Sequence, residues 1–284
     1  MAMEMSQSLD VTPQRFDRPG GSLAYDVQGS GPLVVASPGL GDRRQSYRFL
    51  AADLVAAGYR VATVDLRGHG GSSTGWPDHG EAAVAQDLIA LADHLTGAPG
   101  ERVAIVGNSY SGGAAVVAAA RRPDLVAALV LSGAFVRDVP QTPGQRLATW
   151  VVTRTPLGRA AWNAYIPSLH PGARPADFAV ELAALRANLA EPGRFAAVAA
   201  MARSGHAAAE AALAAVTAPA LVVMGDRDPD FPDPAREAAD TAARLAGPAE
   251  VLMVEGAGHY PHVQVPQTVS PAVAAFLARH LPAR

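Results

Sequence analysis

The chain of 284 residues contains no cysteine and no lysine. Without cysteine, a disulfide framework, a thiolate metal site and a cysteine nucleophile are excluded. All 23 positively charged residues are arginines scattered along the chain, and the net charge is −3. We interpret this arginine usage as coding bias. The absence of a basic surface argues against nucleic-acid binding.

Long hydrophobic runs are missing as well. The apolar run over residues 112–120 ends at Arg121, and no run approaches the ~18 residues needed to span a bilayer. Residues 1–10 carry two acidic side chains and lack the apolar centre of a signal peptide. We therefore expect a cytoplasmic protein that makes no membrane contact.

What the chain does contain is an alternation of short apolar runs with longer helix-like segments. Hydrophobic residues make up 49% of the chain, which is enough for a sizeable core. Apolar runs without polar alternation are typical of strands buried on both faces of a parallel sheet. The predicted strands are 33–37, 60–65, 102–106, 125–131, 221–224 and 251–254. The predicted helices are 45–57, 81–95, 111–121, 234–245 and 269–280.

This pattern predicts the fold class α/β, with a mostly parallel sheet and helices on both of its faces. The alternation breaks once, over residues 137–215, where several prolines interrupt an alanine-rich stretch without strand-like runs. We interpret 137–215 as a helical cap inserted into a core formed by 1–136 and 216–284. Glycine-rich turns before residue 33 predict a hairpin with 22–27 as one strand.

One segment combines an apolar strand, a tight turn and a helix of small residues. It reads Val-Ala-Ile-Val-Gly-Asn-Ser-Tyr-Ser-Gly-Gly-Ala from Val103, with Ser109 at the turn. This resembles the nucleophile elbow G-x-S-x-G of the α/β-hydrolase fold family. Ser111 stands in place of the second glycine, and we expect the turn to survive because serine is small. The alternative interpretation is an ordinary polar turn before a helix.

The resemblance implies an acid and a histidine later in the chain, in that order. Gly225, Asp228 and Pro232 match the family's G-x-x-D-x-x-x-P, which makes Asp228 the acid, with Asp226 and Asp230 as neighbouring alternatives. The segment Gly-Ala-Gly-His-Tyr-Pro-His then places His259 at the catalytic position. We expect the second histidine, His262, to be structural. A metal site built on both histidines is disfavoured because Pro261 disrupts helical ligand spacing.

The resemblance also implies two backbone N–H donors that form an oxyanion hole. The first is Tyr110, directly after the nucleophile, and the second by position is Leu40. Pro38-Gly39 replaces the family's usual His-Gly before Leu40. The glycines around Leu40 lack the third glycine of a dinucleotide-binding fingerprint, so an oxidoreductase is disfavoured.

A further segment after the strand at 60–65, which begins Asp-Leu-Arg-Gly-His-Gly, resembles the family's D-x-R-G-x-G-x-S turn. We expect its Asp65 and Arg67 to hold loops in place rather than to take part in the chemistry.

By resemblance, the chain is expected to be a serine hydrolase, most simply an esterase acting on a small, mostly apolar ester through an acyl-enzyme on Ser109. Lactonase, thioesterase, carbon–carbon bond hydrolase, cofactor-free haloperoxidase and a small-molecule receptor with little turnover remain open. We expect a small-molecule substrate, no cofactor, no metal, and a monomer or homodimer. The candidate pocket residues are the aromatic side chains of the cap: Trp150, Trp162, Tyr165 and Phe178.

Overall fold

The computed structural model describes residues 13–98 and 100–282, so the prediction made for residues 1–10 lies outside the described part. The described residues form eight strands that share one sheet. In chain order they are β1 (Gln14–Arg18), β2 (Gly21–Gln28), β3 (Leu33–Ser37), β4 (Arg60–Val64), β5 (Val103–Asn108), β6 (Val126–Ser132), β7 (Ala220–Gly225) and β8 (Ala249–Val254).

The order of the strands across the sheet is β1-β2-β4-β3-β5-β6-β7-β8. The predicted hairpin is confirmed, because β1 pairs with β2 in antiparallel fashion, and β2 is also antiparallel to β4. All remaining pairs, from β4 to β8, are parallel. The carboxyl ends of β3 to β8 therefore meet at one edge of the sheet, where ligand sites of open α/β sheets lie.

The described residues also form eleven α-helices and three short 3₁₀ helices. The α-helices are α1 (Arg48–Ala56), α2 (Glu81–Leu95), α3 (Tyr110–Arg121), α4 (Pro143–Arg154), α5 (Gly158–Tyr165), α6 (Phe178–Ala190), α7 (Arg194–Ala202), α8 (Ala207–Ala212), α9 (Pro234–Arg244), α10 (Pro261–Gln264) and α11 (Pro266–His280). The 3₁₀ helices are Arg44–Tyr47, Ile166–Leu169 and Leu213–Ala215. Within the described residues, no helix combines the length and apolar character required to cross a membrane.

The core lies on both faces of the sheet, which explains the unbroken apolar runs. In β3, Leu33 and Val35 join one hydrophobic cluster while Val34 and Ala36 join the other. Side chains of a strand alternate between faces, so both sets are apolar only when both faces are covered. The predicted fold class is confirmed.

The expectation that every predicted strand is buried on both faces is wrong for β8. Val251 of β8 is 42% exposed, and Glu250 is exposed as well. The physical reason is position, since β8 lies at one edge of the sheet and pairs only with β7. An edge strand tolerates apolar residues without covering both of its faces.

The segment between β6 and β7 contains helices α4 to α8 and, within the described residues, no strand. α4 begins with a capping box, in which Thr142 accepts from the Gln145 N–H and the Gln145 side chain accepts from the Thr142 N–H. Leu185 and Leu189 on one face of α6 pack with Ile166 and Val198 in a separate hydrophobic cluster. The helical content agrees with the sequence, while the division of the chain at 137 and 215 stays a prediction.

Candidate active site

Ser109 makes the whole connection between β5 and α3. β5 ends at Asn108 and α3 begins at Tyr110. Ser109 has φ +54° and ψ −122°, and it is the one non-glycine residue with positive φ among those described. A residue held in such a sparsely populated backbone conformation costs about 1–3 kcal/mol of folding free energy, which the surrounding structure must offset. The turn leaves Ser109 at the carboxyl edge of the sheet, with 8% of its surface exposed.

Two neighbours explain why the chain can turn so sharply at Ser109. A Cβ atom at Gly107 would lie 2.5 Å from the carbonyl oxygen of Ser111, so only glycine fits there. Ser111 is fully buried, and its hydroxyl donates to the carbonyl of Pro38 and lies 3.1 Å from the Ser37 hydroxyl oxygen. Serine therefore fits in place of the expected glycine, and its hydroxyl ties α3 to the loop after β3.

Asp228 and His259 lie in the loops after β7 and β8 and form a hydrogen bond. The His259 Nδ1 and Asp228 Oδ2 atoms are 2.8 Å apart, and both residues are 2% exposed. The other oxygen, Asp228 Oδ1, accepts the Asp230 N–H at 3.0 Å. The carboxylate is thus fixed on both sides, which orients the imidazole and leaves its Nε2 atom for other partners.

A second carboxylate faces the same imidazole nitrogen. The Asp230 Oδ2 atom lies 3.5 Å from His259 Nδ1, and its Oδ1 atom accepts a hydrogen bond from the Tyr165 hydroxyl. Burial lowers the pKa of His259, but the negative charges of Asp228 and Asp230 outweigh burial and raise that pKa to about 9. The imidazole is consequently a stronger base than a free histidine.

His262 is buried in the protein and serves packing, as predicted. Its ring stacks on Tyr47 with 4.9 Å between centroids, and its Nδ1 atom lies 3.4 Å from the Ser132 hydroxyl oxygen. Burial lowers the pKa of His262 to about 3, so its ring is neutral at physiological pH.

The loop after β3 packs directly against Ser109. A Cβ atom at Gly39 would lie 2.8 Å from the Ser109 Cβ atom, so the backbone of this loop approaches the serine as closely as glycine allows. Leu40 follows Gly39, and Tyr110 is the first residue of α3, where N–H groups lack intrahelical acceptors. The N–H groups of Leu40 and Tyr110 donate to no other described residue. Their positions fit the predicted pair of donors, whose role stays a prediction.

Ser109, Asp228 and His259 therefore follow β5, β7 and β8 at the same edge of one sheet. No hydrogen bond joins Ser109 to His259 among the described residues. Such hydrogen bonds often tighten only in the complex with substrate.

A sequence profile described as "Alpha/beta hydrolase family" matches residues 33–272. The chain belongs to this family. An uncharacterised protein of Mycobacterium tuberculosis is 36% identical over 121 residues, which are 41% of this chain and 33% of that protein. This α/β hydrolase thus aligns with about a third of the length of that relative.

Two further comparisons cover more of the chain. A monoacylglycerol lipase of Mycolicibacterium smegmatis is 29% identical over 226 residues, covering 69% of this chain and 70% of the lipase. The crystal structure of an enol-lactonase from Burkholderia xenovorans LB400 superposes with a TM-score of 0.77 at 25% identity, covering 93% of this chain and 100% of the lactonase. Both comparisons extend over most of this chain, as the family profile does.

A small cavity lies near the paired Asp228 and His259. It measures about 50 Å³, and Asp42, Ile166, Phe178, Leu182 and Tyr260 are among its lining residues. Neither Ser109 nor His259 lines it, but Tyr260 directly follows His259 and Asp42 lies two residues after Leu40. A cavity of this size holds a few water molecules. Its walls join the β3 loop, the segment between β6 and β7, and the histidine loop.

The four aromatic pocket candidates occupy different places. Phe178 lines the cavity, and the indole of Trp162 lies against Gly41 next to Leu40. Tyr165 reaches Asp230 through its hydroxyl. Trp150 is 55% exposed on α4, which turns this side chain to solvent, and it does not line this cavity. Its place in a substrate pocket stays a prediction.

Asp65 and Arg67 hold loops together, as the sequence predicted. The Asp65 carboxylate accepts the Arg44 N–H at 2.7 Å, the Arg44 Nη1 at 2.6 Å and the Gly71 N–H at 2.8 Å. Arg67 Nε donates to Asp87 Oδ2 at 2.8 Å. The Asp65 contacts connect the loops after β3 and β4 and so support the backbone beside Ser109, whereas the Arg67 contact connects the loop after β4 to α2.

Two site residues were missed by sequence reasoning. Asn108 donates to the carbonyl of Ser132 at 2.9 Å and to that of His259 at 3.2 Å, which ties the histidine loop to β5 and β6. A polar amide at the end of an apolar strand was the available signal. The second missed residue is Asp42, which lines the cavity, and no pattern in its segment of the sequence distinguished it.

Proposed function

We propose that the protein is a carboxylic ester hydrolase that forms an acyl-enzyme on Ser109 and acts on small, mostly apolar esters. The observation that carries the proposal is the strained turn of Ser109 at the sheet edge that also holds the Asp228–His259 pair. A serine hydroxyl is a weak nucleophile until a base accepts its proton. Similarity to a monoacylglycerol lipase over 69% of the chain supports the ester specificity.

In the first half of the reaction, the Ser109 Oγ atom bonds to the carbonyl carbon as its proton passes to His259 Nε2. The N–H groups of Leu40 and Tyr110 stabilise the negative oxygen of the tetrahedral intermediate. The bond to the leaving oxygen then breaks, and that oxygen takes the proton from His259 as the alcohol departs. Asp228 holds the imidazole in the required tautomer throughout.

In the second half, a water molecule attacks the acyl-enzyme while His259 accepts one of its protons. The new tetrahedral intermediate breaks its bond to Ser109 Oγ, which recovers a proton from His259. The products are a carboxylic acid and the free serine. The protein residues regain their starting protonation states, so the cycle needs no co-reactant other than water.

The preference for a small and mostly apolar substrate is supported by the walls beside the site. Ile166, Leu182 and Leu185 line the neighbouring cavity, and Leu40 packs against the cluster that contains Ile166 and Leu185. The charged Arg43 that also lines the cavity is paired with Glu181 at 2.8 Å. Arg48, which also lines the cavity, is paired with Asp177 at 2.6 Å. Apolar side chains beside arginines that are already paired favour an uncharged acyl or alcohol group.

The test is hydrolysis of p-nitrophenyl esters, from acetate to octanoate, by the wild type, Ser109→Ala and Ser30→Ala. Ser30 is exposed in the turn before β3 and makes no side-chain hydrogen bond to the described residues, so its variant is a matched control. We expect Ser109→Ala to lose at least ~10³-fold in kcat with an unchanged melting temperature, and the control to retain full activity. Equal turnover by the wild type and Ser109→Ala would reject Ser109 as the nucleophile.

A second candidate is lactone hydrolysis, which the similarity to the enol-lactonase favours. A lactone is a cyclic ester, so the same steps apply and the alcohol stays attached to the acid product. Acid release from five- and six-membered lactones, followed by pH-stat with the same three proteins, tests this specificity. Rates on lactones that exceed those on open-chain esters of equal carbon number would favour the lactonase.

A further inference from the structure

Two carboxylates, rather than one, face the Nδ1 atom of His259. Asp228 Oδ2 lies at 2.8 Å and Asp230 Oδ2 at 3.5 Å from that nitrogen. The Asp228 side chain is fully buried and that of Asp230 is 19% exposed. A Nδ1–H proton at this point is close enough to interact with both acids, and the second acid lies only slightly beyond hydrogen-bond distance.

Asp230 is held in this position from two sides. Its backbone N–H donates to Asp228 Oδ1 at 3.0 Å, so the two acids belong to one compact turn. Its Oδ1 atom accepts the hydroxyl hydrogen of Tyr165, which ends α5 in the segment between β6 and β7. The Tyr165 contact leaves the other oxygen, Oδ2, facing the imidazole.

Of the remaining titratable groups described around the His259 ring, only Asp42 adds negative charge, and its effect on the pKa of His259 is smaller than those of Asp228 and Asp230. The groups that face His259 come from several loops: Asp42, His170, Asp228, Asp230, Tyr260 and His262. Burial lowers the pKa of His170 to about 4 and that of His262 to about 3, so both are neutral. Burial raises the pKa of the Tyr260 hydroxyl, so it too is uncharged. The charges near the ring at neutral pH are therefore carboxylates.

We propose that Asp230 is a positioning residue that acts as a second acid for His259, held by Tyr165, and that it strengthens the base and substitutes in part for Asp228. The role rests on the proposed function, in which His259 is the base. Chemically, Asp230 stabilises the imidazolium that forms when Ser109 or water gives up its proton. It also offers an acceptor for Nδ1–H when Asp228 is absent, which preserves the tautomer that exposes Nε2.

The first test measures the pKa of His259 by NMR in protein labelled at its histidine rings, with His259→Gln used to assign the signal. We expect Asp230→Asn to lower this pKa by about one pH unit, because an opposite charge within ~4–6 Å shifts a pKa by one unit or more. Glu255→Gln is the matched control, since Glu255 is an exposed acid four residues from His259 and should leave the pKa unchanged. An unchanged pKa in Asp230→Asn overturns the proposal.

The NMR result does not depend on turnover, so it separates this proposal from the proposed function. If the wild type hydrolyses no ester while Asp230→Asn shifts the pKa of His259, the electrostatic role of Asp230 stands and the ester specificity fails. Tyr165→Phe keeps the ring and removes the hydroxyl. We expect it to shift the pKa in the same direction by a smaller amount. No shift would remove Tyr165 from the proposal.

The second test is a double-mutant cycle on kcat/KM. We expect Asp228→Asn to retain at least ~10-fold more activity than Asp228→Asn combined with Asp230→Asn, a larger loss than Asp230→Asn causes when Asp228 is intact, because the effects of residues in contact are not additive. Melting temperatures of all variants identify loss of folding. If both proteins are folded and equally active, Asp230 does not substitute for Asp228.

Discussion

At the scale of single residues, two carboxylates rather than one face the imidazole of His259. Asp228 Oδ2 lies 2.8 Å and Asp230 Oδ2 lies 3.5 Å from its Nδ1 atom, and the Tyr165 hydroxyl holds Asp230 in place. Both carboxylates favour the charged form of the ring.

The environment of His259 predicts an alkaline pH dependence. The imidazole must be neutral at Nε2 to accept a proton, and its pKa is raised to about 9 because Asp228 and Asp230 outweigh the effect of burial. The active form therefore increases as pH rises. We expect kcat/KM to rise ~10-fold per pH unit from pH 6 to 8 and to level off near pH 9. Ester hydrolysis, corrected by the rate with Ser109→Ala, measures this profile, and a flat profile from pH 6 to 9 contradicts it.

The close approach of Gly39 to Ser109 makes a second prediction. A methyl group at Gly39 would lie 2.8 Å from the Ser109 Cβ atom, so Gly39→Ala must displace either the serine or the backbone before Leu40. We expect at least ~10-fold loss in kcat, because displacement by about 1 Å can cost ~10²-fold. Gly144→Ala serves as the control, since a Cβ atom there meets open space. Full activity of Gly39→Ala would show that this close approach is not needed for catalysis.

The sequence indicated Ser109, Asp228 and His259 as candidates because each lies in a short motif after an apolar strand, and the structure brings all three to one edge of the sheet. Nothing in the sequence decides whether Asp230 points toward the imidazole or to solvent, since that depends on Tyr165, 65 residues earlier in the chain. The contact forms through tertiary packing, which leaves no local pattern.

At the scale of elements, the sequence predicted the parallel strands closely because valine-rich runs without polar alternation require two covered faces. The sequence placed the first helix at 45–57. In the structure this helical segment begins one residue earlier, as the 3₁₀ helix Arg44–Tyr47, and continues as α1 from Arg48. Arg44 explains the early start, because its N–H and its guanidinium both bind the Asp65 carboxylate. Periodicity alone does not reveal a contact between two loops.

The two acids that pair with Arg44 should differ in how much their substitution lowers the free energy of unfolding. Asp65 is fully buried and accepts three hydrogen bonds, whereas Asp26 has a 14% exposed side chain and pairs with the opposite side of Arg44. Asp65→Asn should lower the free energy of unfolding by about 3 kcal/mol, since it leaves a buried charge partly unpaired. Asp26→Asn should cost about 1 kcal/mol. Urea unfolding monitored by circular dichroism measures both, and equal losses would contradict the ranking.

At the scale of the whole molecule, the segment between β6 and β7 packs on the sheet edge rather than standing apart. Leu40 of the β3 loop joins the cluster of Ile166, Leu185, Leu189 and Val198, and Trp162 lies against Gly41. The sequence predicted an insertion from the missing strands, but it held no information on which core loop the insertion would contact.

This shared packing predicts that the molecule unfolds as one unit. Trp150 and Trp162 lie in the segment between β6 and β7, whereas Trp76 lies in the rest of the chain. In Trp76→Phe, fluorescence therefore reports only on that segment, while circular dichroism reports on all elements. We expect the two urea transitions to coincide, as in a two-state protein. A fluorescence midpoint well below the circular dichroism midpoint would show that the segment unfolds separately.

The hydrogen bond between Tyr165 and Asp230 has a thermodynamic consequence beyond its geometry. It connects the end of α5 to an acid that faces the base. Coupling between two equilibria is reciprocal. If a movement of α5 changes the proton affinity of His259, then protonation of His259 must change the free energy of that movement by the same amount. Proton uptake at the base and the position of the helix above it are linked equilibria, and the mobility of α5 should vary with pH.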